Sequence, residues 1–187
     1  MVSLWPGWIV QLICISLPWR THLYLSNYSS LTISHVASGN LSAILSNRNY
    51  EARTVSAGIR DWRAGPWHHV ALQWKLDDGA KTAMALYVDG RLVSDRCLGN
   101  VKHPNDRPLQ MKPLPFPVQL GSMNTGYRPA ESLIDELRIS SVRRYEGNFV
   151  PTRRFDPDDR TLTLFHFDGD LDAAKPSGCR AVPGPVQ

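Results

Sequence analysis

An aspartate stands within an apolar strand pattern in the segment IDELRIS, Ile134–Ser140. Residues two apart on a strand share a face, so Asp135 is predicted to lie among aliphatic side chains on the core-facing side. These aliphatic residues are Leu133, Leu137 and Ile139. Burying an unpaired carboxylate is prohibitively costly, so the pattern predicts a partner for Asp135: hydrogen-bond donors, an arginine or a cation.

Two further groups of polar residues have metal-ligand chemistry but unsuitable spacing. His68 and His69 are adjacent on a predicted strand and point to opposite faces, so we expect one packed imidazole and one surface imidazole. Asp168, Asp170 and Asp172 lie in FDGDLD, which lacks the length and the closing glutamate of an EF-hand loop and is predicted to be a solvated acidic turn. The sequence contains neither a G-x-S-x-G nucleophile motif nor a phosphate-binding glycine loop.

Two tryptophans are candidates for contact with a ligand. Trp62 and Trp67 flank a Gly-Pro turn and together would offer a flat stacking surface to a sugar ring. Packing of both rings in the core or at its rim is the competing interpretation.

The 187 residues carry a net charge of +4, and the basic residues are scattered without a block of five or more like charges. This distribution argues against nucleic-acid binding. The apolar run Trp8–Leu17 is too short to span a bilayer; its length suits a signal-peptide core, but its alternation favours a buried strand. We therefore predict no membrane insertion.

The three cysteines are compatible with one disulfide and one thiol, or with three thiols. Cys97 and Cys179 lie in polar, loop-like sequence and are the pair favoured for a bridge. Cys14 lies in an apolar run and is expected to be a buried thiol.

Short strands with turn signals between them recur along the chain and predict an all-β antiparallel sandwich or jelly roll. The alternation in WHHVALQWKL predicts a half-buried strand, with Val70, Leu72 and Trp74 on its core face. A single helical turn is expected over Val142–Phe149.

Five segments occur in one order along the chain: WHHVALQWKL, ALYVDGRLV, LGS, IDELRISSVRRY and TLTLFHFDGDL. In this combination the sequence resembles the laminin-G-like, concanavalin A-like jelly-roll domains, most closely those of the bacterial type, from roughly Asn40 to Leu171. The resemblance implies two packed, curved antiparallel sheets. The usual opening strands, similar to FDG and FWVKP, are not recognisable. We expect one domain over residues 1–172, lacking its first strands or closing its sheet with a late strand, and a tail or linker over 173–187.

The resemblance also bears on Asp135. In the β-glucanases of the same fold an aspartate in a similar strand, V-D-Y-V-R-V-Y, helps to bind a structural calcium ion, so Asp135 is a candidate calcium ligand. Backbone N–H donors or an arginine are the alternative partners. Those enzymes cleave with the pattern E-x-D-x-E, whereas this chain has leucine at positions 133 and 137. The absence of that pattern predicts a protein that is not an enzyme.

We therefore predict a non-catalytic binding module of an extracellular or cell-surface protein, with a glycan or an extracellular protein as its partner. Binding is expected at rim loops over Asn47–Trp67 and Asn100–Pro117. The alternatives are a structural spacer or assembly domain of a larger protein, and a diverged glycoside hydrolase.

Overall fold

The computed structural model describes residues 9–16, 22–27, 31–36, 38–111, 119–121 and 132–175, with the backbone alone for the first two segments. These residues form thirteen strands in two antiparallel sheets and contain no helix. No helix of the described residues could therefore cross a membrane. The expected helical turn over Val142–Phe149 is wrong, since this segment consists of bends and irregular backbone.

The first sheet has seven strands in the order β13-β12-β11-β1-β6-β7-β8. Its strands are β1 (Ile9–Ser16), β6 (His68–Lys75), β7 (Ala83–Val88), β8 (Arg91–Ser94), β11 (Ser132–Ser140), β12 (Thr161–Phe165) and β13 (Ala173–Lys175). The apolar run near the N-terminus is thus a strand, as its alternation predicts, and it lies between β11 and β6. Because β13 pairs with β12, the sheet continues into the segment expected to be a tail.

The second sheet has six strands in the order β10-β2-β3-β4-β5-β9. Its strands are β2 (His22–Asn27), β3 (Leu31–Val36), β4 (Asn40–Ser46), β5 (Ala52–Gly58), β9 (Leu98–Gly99) and β10 (Gln119–Leu120). Successive strands β2 to β5 pair with their sequence neighbours, so this sheet is built largely from hairpins.

The main hydrophobic core takes side chains from both sheets. From the six-stranded sheet come alternate residues of β3, β4 and β5, and from the seven-stranded sheet alternate residues of β6, β7 and β11. The two sheets therefore pack face to face in a sandwich. The fold class predicted from the strand pattern is confirmed.

Strand β6 differs from the prediction. Val70, Leu72 and Trp74 face the main core as expected, but His69 and Gln73 on the opposite face are also buried, at 5% and 2% exposure. The reason is that residues 141–160, which we call the strap, cross the outer face of this sheet. Two small apolar clusters join the strap to the sheet: Ala71 and Tyr87 with Tyr145 and Phe149, and Phe155 with Leu164.

Candidate functional site

The prediction that Asp135 shares the core-facing side of its strand with Leu137 is wrong, because β11 contains a β-bulge. The pairing of β1 with β11 shifts register between Ile13↔Asp135 and Gln11↔Arg138, and Glu136 has φ +52°. An extra residue in one strand reverses the facing of every side chain before it relative to those after it. Leu133 is consequently 64% exposed while Leu137 is 3% exposed, and Asp135 is only half-buried.

The buried carboxylate of this strand is Glu136, which is 2% exposed. Its Oε2 accepts the Phe155 N–H at 2.9 Å, and its Oε1 lies 2.7 Å from His166 Nδ1 and 3.8 Å from the Arg154 guanidinium. Asp135 accepts the N–H of Glu136 at 3.0 Å. Of the partners that the sequence predicts, hydrogen-bond donors therefore serve Asp135, and the glutamate beside it holds the strap.

Asp135 does not belong to a cluster of metal-ligating side chains among the described residues. No group of three or more histidine, cysteine, aspartate or glutamate side chains among them is arranged to hold a metal ion. Calcium prefers six to eight oxygen ligands, and one oxygen of Asp135 is engaged by the backbone. Calcium at Asp135 stays a prediction, and no part of the proposed function depends on it.

The two candidate tryptophans have different environments. Trp62 is 8% exposed, belongs to the main core, and stacks on His68 with ring centroids 3.9 Å apart and planes 2° apart. Trp67 is 45% exposed. Only Trp67 of the two tryptophans presents substantial ring surface to solvent.

The two adjacent histidines lie on opposite faces of β6, as expected. His68 Nδ1 is 2.9 Å from Asp89 Oδ2, and His69 packs under the strap against Phe149.

The predicted rim loop Asn47–Trp67 is not one loop, because strand β5 runs through its middle. The structure instead joins residues 47–51 to residues 97–111, and we call these two segments the loop pair. The Asn47 side chain donates to the Gln110 carbonyl at 3.1 Å, and the Asn100 side chain donates to the Tyr50 carbonyl at 2.8 Å. Arg107 donates to Glu51 Oε1 at 2.8 Å. The part of the second predicted loop at 112–118 lies outside the described residues.

Tyr50 projects from the shorter segment of the loop pair and is 86% exposed. It has φ +60°, a conformation that is unfavourable for a bulky side chain. Asn47 sustains this turn: its Oδ1 accepts the N–H groups of Asn49 and Glu51, and its carbonyl accepts the Tyr50 N–H. An aromatic ring is thus held out in solvent by a tight, hydrogen-bonded turn.

An open cavity of about 330 Å³ lies in the longer segment of the loop pair. Its lining residues are Lys102, His103, Pro104, Asp106 and Arg107. The lining combines cationic donors, a carboxylate acceptor and an imidazole, which together are suited to the hydroxyl groups of a polyol. Glu51, only 9% exposed, offsets part of the positive charge through Arg107 and lies 3.8 Å from His103 Nδ1.

Sequence reasoning missed Tyr50 and placed the cavity only as part of a longer loop. The available signal was the polar run SNRNY before β5, since asparagines favour turns that leave the following side chain outside the sheet. The contacts between the two segments join residues 50 to 63 positions apart, and no local pattern reports them.

Cys97 lies in the same loop pair and is a free thiol, which agrees with the alternative of three thiols rather than with the bridge to Cys179. Burial raises the pKa of Cys97 to about 11, so the thiol stays protonated at neutral pH. Cys179 and the side chain of Cys14 lie outside the described residues.

Comparison with known proteins identifies the family. The chain belongs to the concanavalin A-like lectin/glucanases superfamily, whose Laminin_G_3 family model matches residues 14–145. A comparison with curated proteins finds no significant match.

Solved structures share the fold at low sequence identity. A Bacteroides ovatus protein to which carbohydrate binding has been provisionally ascribed has a TM-score of 0.62 and 15% identity, covering 88% of this chain and 46% of that chain. The binding domain of botulinum neurotoxin serotype D has a TM-score of 0.55 and 15% identity, covering 76% and 34%. Domains LG4-5 of the mouse laminin α1 chain have a TM-score of 0.51 and 15% identity, covering 74% and 37%. This chain spans less than half the length of each.

Proposed function

We propose that this protein is a non-catalytic carbohydrate-binding module that binds its glycan at the loop pair. The observation that carries the proposal is an exposed aromatic ring, Tyr50, on the same loop pair as a polar cavity lined by His103 and Arg107. Sugar rings bind proteins by stacking an apolar face on an aromatic ring while their hydroxyl groups bond to polar side chains. The loop pair offers both kinds of contact on two segments that are joined by hydrogen bonds.

The carboxylates of this surface suit binding better than hydrolysis. Glycosidases use two carboxyl groups that flank the scissile bond, one of them free to take up and release a proton. Here Glu51 is engaged by Arg107, which leaves Asp106 as the carboxylate lining the cavity. This arrangement supports a module that holds a glycan without cleaving it.

The proposal places the module outside the cytoplasm, as part of an extracellular or cell-surface protein. The family and the solved laminin domains of the same fold support this location. An extracellular protein ligand is the alternative partner, and the same surface would serve it.

The proposal is tested with a glycan array on the wild-type chain and on Tyr50→Ala, each with calcium and with a chelator. We expect the wild type to bind one group of related glycans and Tyr50→Ala to lose at least about tenfold in affinity. A ring the size of a nucleobase gains roughly 1–3 kcal/mol by stacking on an aromatic side chain, and a sugar ring is of similar size. Unchanged binding by Tyr50→Ala would move the site elsewhere. Absence of binding by the folded wild type to every glycan of a broad array would contradict carbohydrate binding and favour the spacer or assembly domain.

A further inference from the structure

The side chain of Arg53, on β5, is fully buried at the end of the sandwich where the loop pair closes the core. A guanidinium is expensive to remove from water, and a buried one normally pairs with a carboxylate. Among the described residues, no carboxylate forms an ion pair with Arg53. Charge pairing therefore does not explain why the Arg53 guanidinium is buried.

The guanidinium instead donates to the backbone and one side chain of the loop pair. Its Nη1 donates to the His103 carbonyl at 3.3 Å and its Nη2 to the Arg107 carbonyl at 3.0 Å. Its Nε donates to Asn105 Oδ1 at 2.9 Å. Arg53 thus holds alternate residues 103, 105 and 107 from inside, while the side chains of His103 and Arg107 line the cavity outside.

Asn105 extends the same attachment to the residues just before β7 and β9. Its Nδ2 donates to the carbonyls of Thr82 and Cys97 at 2.9 and 3.1 Å, and its Oδ1 also accepts the Thr82 N–H at 3.1 Å. Thr82 in turn accepts the Leu109 N–H on its hydroxyl at 2.8 Å. The amide of Asn105 is therefore fully used in fixing the loop.

Close backbone packing at Gly99 independently shows that the loop has a single tight course. A Cβ atom at this position would lie 2.3 Å from the His103 carbonyl oxygen and 2.5 Å from the Asn105 nitrogen. Any side chain at position 99 would therefore force residues 103–105, which Arg53 holds, out of their present positions.

We propose that Arg53 is a positioning residue, which fixes the loop course and so forms the cavity before any ligand arrives. The rigid fork of an arginine can reach several carbonyl groups at once, whereas a lysine ammonium acts from one point and an aliphatic side chain supplies no donors. Preorganisation of this kind reduces the entropy lost when a ligand binds. This purpose rests on the proposed function, but the attachment itself is testable without a glycan.

The test is hydrogen–deuterium exchange on the full chain for wild type, Arg53→Lys and Arg53→Met, below the unfolding temperature of each. In Arg53→Met we expect amides over residues 99–111 to exchange about tenfold faster or more, with the strap unchanged. Arg53→Lys should fall between the two, because it restores part of the donor set. The matched control is Gln73→Leu, which should accelerate exchange in the strap and leave residues 99–111 unchanged.

Two outcomes would overturn the proposal. One is wild-type protection of residues 99–111 in folded Arg53→Met. The other is equal loss of protection in the loop pair and the strap, which would mean that Arg53 supports only global stability. If Arg53→Met does not fold, Arg53→Lys and Gly99→Ala provide the same comparison, since Gly99→Ala displaces the same loop.

Alkylation of Cys97 gives a second readout, located by peptide mass spectrometry. Cys97 is half-buried and its carbonyl is held by Asn105, so release of the loop should raise its labelling rate with iodoacetamide at least about tenfold. An unchanged rate in the Arg53 variants contradicts the proposal. A negative glycan array would refute the proposed function while leaving both of these readouts valid.

Discussion

Both the strap and the loop pair are largely irregular in backbone, and in each a buried polar side chain from a strand bonds to several main-chain groups. In the strap, Gln73 accepts the N–H groups of Arg144 and Tyr145 and donates to the Tyr145 carbonyl. In the loop pair, Arg53 has the corresponding role: it donates to two carbonyl groups and to the side chain of Asn105. Both attachments provide partners for main-chain groups of segments that lack strand pairing there.

The two segments differ in what lies around that attachment. The strap lays aromatic rings on the sheet, with Tyr145 stacked on Phe149 at 3.5 Å and the Arg138 guanidinium 4.3 Å above Phe155. The loop pair exposes the ring of Tyr50 to solvent and contains an open polar cavity. The comparison indicates that the strap stabilises the fold, while the loop pair has the features of a binding surface.

The largest expected effect is on the strap. Phe155 is 1% exposed, and Phe155→Ala should lower the free energy of unfolding by about 3–5 kcal/mol, because it removes a buried ring and leaves a cavity. Chemical denaturation measures this loss, and Arg153→Ala, an exposed change two residues away, serves as the control. A loss below about 1 kcal/mol would mean that the strap is only loosely attached.

The second largest effect is expected from acid, which should destabilise the packing of the strap on His69. Burial is the main cause that lowers the pKa of His69 to about 4, from 6.5 in the unfolded chain. The unfolded state therefore binds the proton first, and the stability present at neutral pH falls as the pH drops below about 6.5 and towards about 4. We expect a loss of about 2 kcal/mol between about pH 7 and pH 5.

Chemical denaturation between about pH 7 and pH 5 measures how steeply the free energy of unfolding depends on pH. The substitution His69→Phe should make this dependence weaker. The ion pair of Arg144 with Asp158 acts in a separate window, since the Arg144 hydrogen bonds hold the pKa of Asp158 well below its usual range. Its contribution is lost only at more acidic pH. An identical slope in His69→Phe would contradict the assignment to His69.

A smaller effect, of opposite sign, is expected in the loop pair. Tyr50→Gly removes an exposed ring from a left-handed backbone position and should raise the free energy of unfolding by about 0.5–1 kcal/mol. The same change should weaken glycan binding at least about tenfold, as in Tyr50→Ala. A variant that is more stable yet inactive would separate binding from folding, whereas a destabilised Tyr50→Gly would show that the ring supports the loop.

The smallest expected effect concerns Asp135 and calcium. Asp135→Asn keeps an acceptor for the Glu136 N–H and should change stability by less than about 1 kcal/mol. Melting temperatures with calcium and with chelator test the predicted ion. Stabilisation by calcium in the wild type, lost in Asp135→Asn, would confirm the ligand, and equal melting temperatures in all conditions would refute it.

Alternation and motif order were enough to predict the sandwich, the core face of β6 and the strand near the N-terminus. They could not predict the bulge at Glu136, because a period of two has no signal for one inserted residue. The burial of Gln73 was also hidden, since the strap that covers it follows about 70 residues later. Trp62 and Trp67 were equivalent as residue types, and only packing separates the core ring from the exposed one.

The most direct test of the account compares Tyr50→Ala with Trp67→Ala. Affinity is measured for the glycan that binds the wild-type chain best on the array. We predict that Tyr50→Ala weakens binding at least about tenfold and that Trp67→Ala stays within about twofold of the wild type. Loss of binding in Trp67→Ala with full binding in Tyr50→Ala would contradict the assignment of the site to the loop pair.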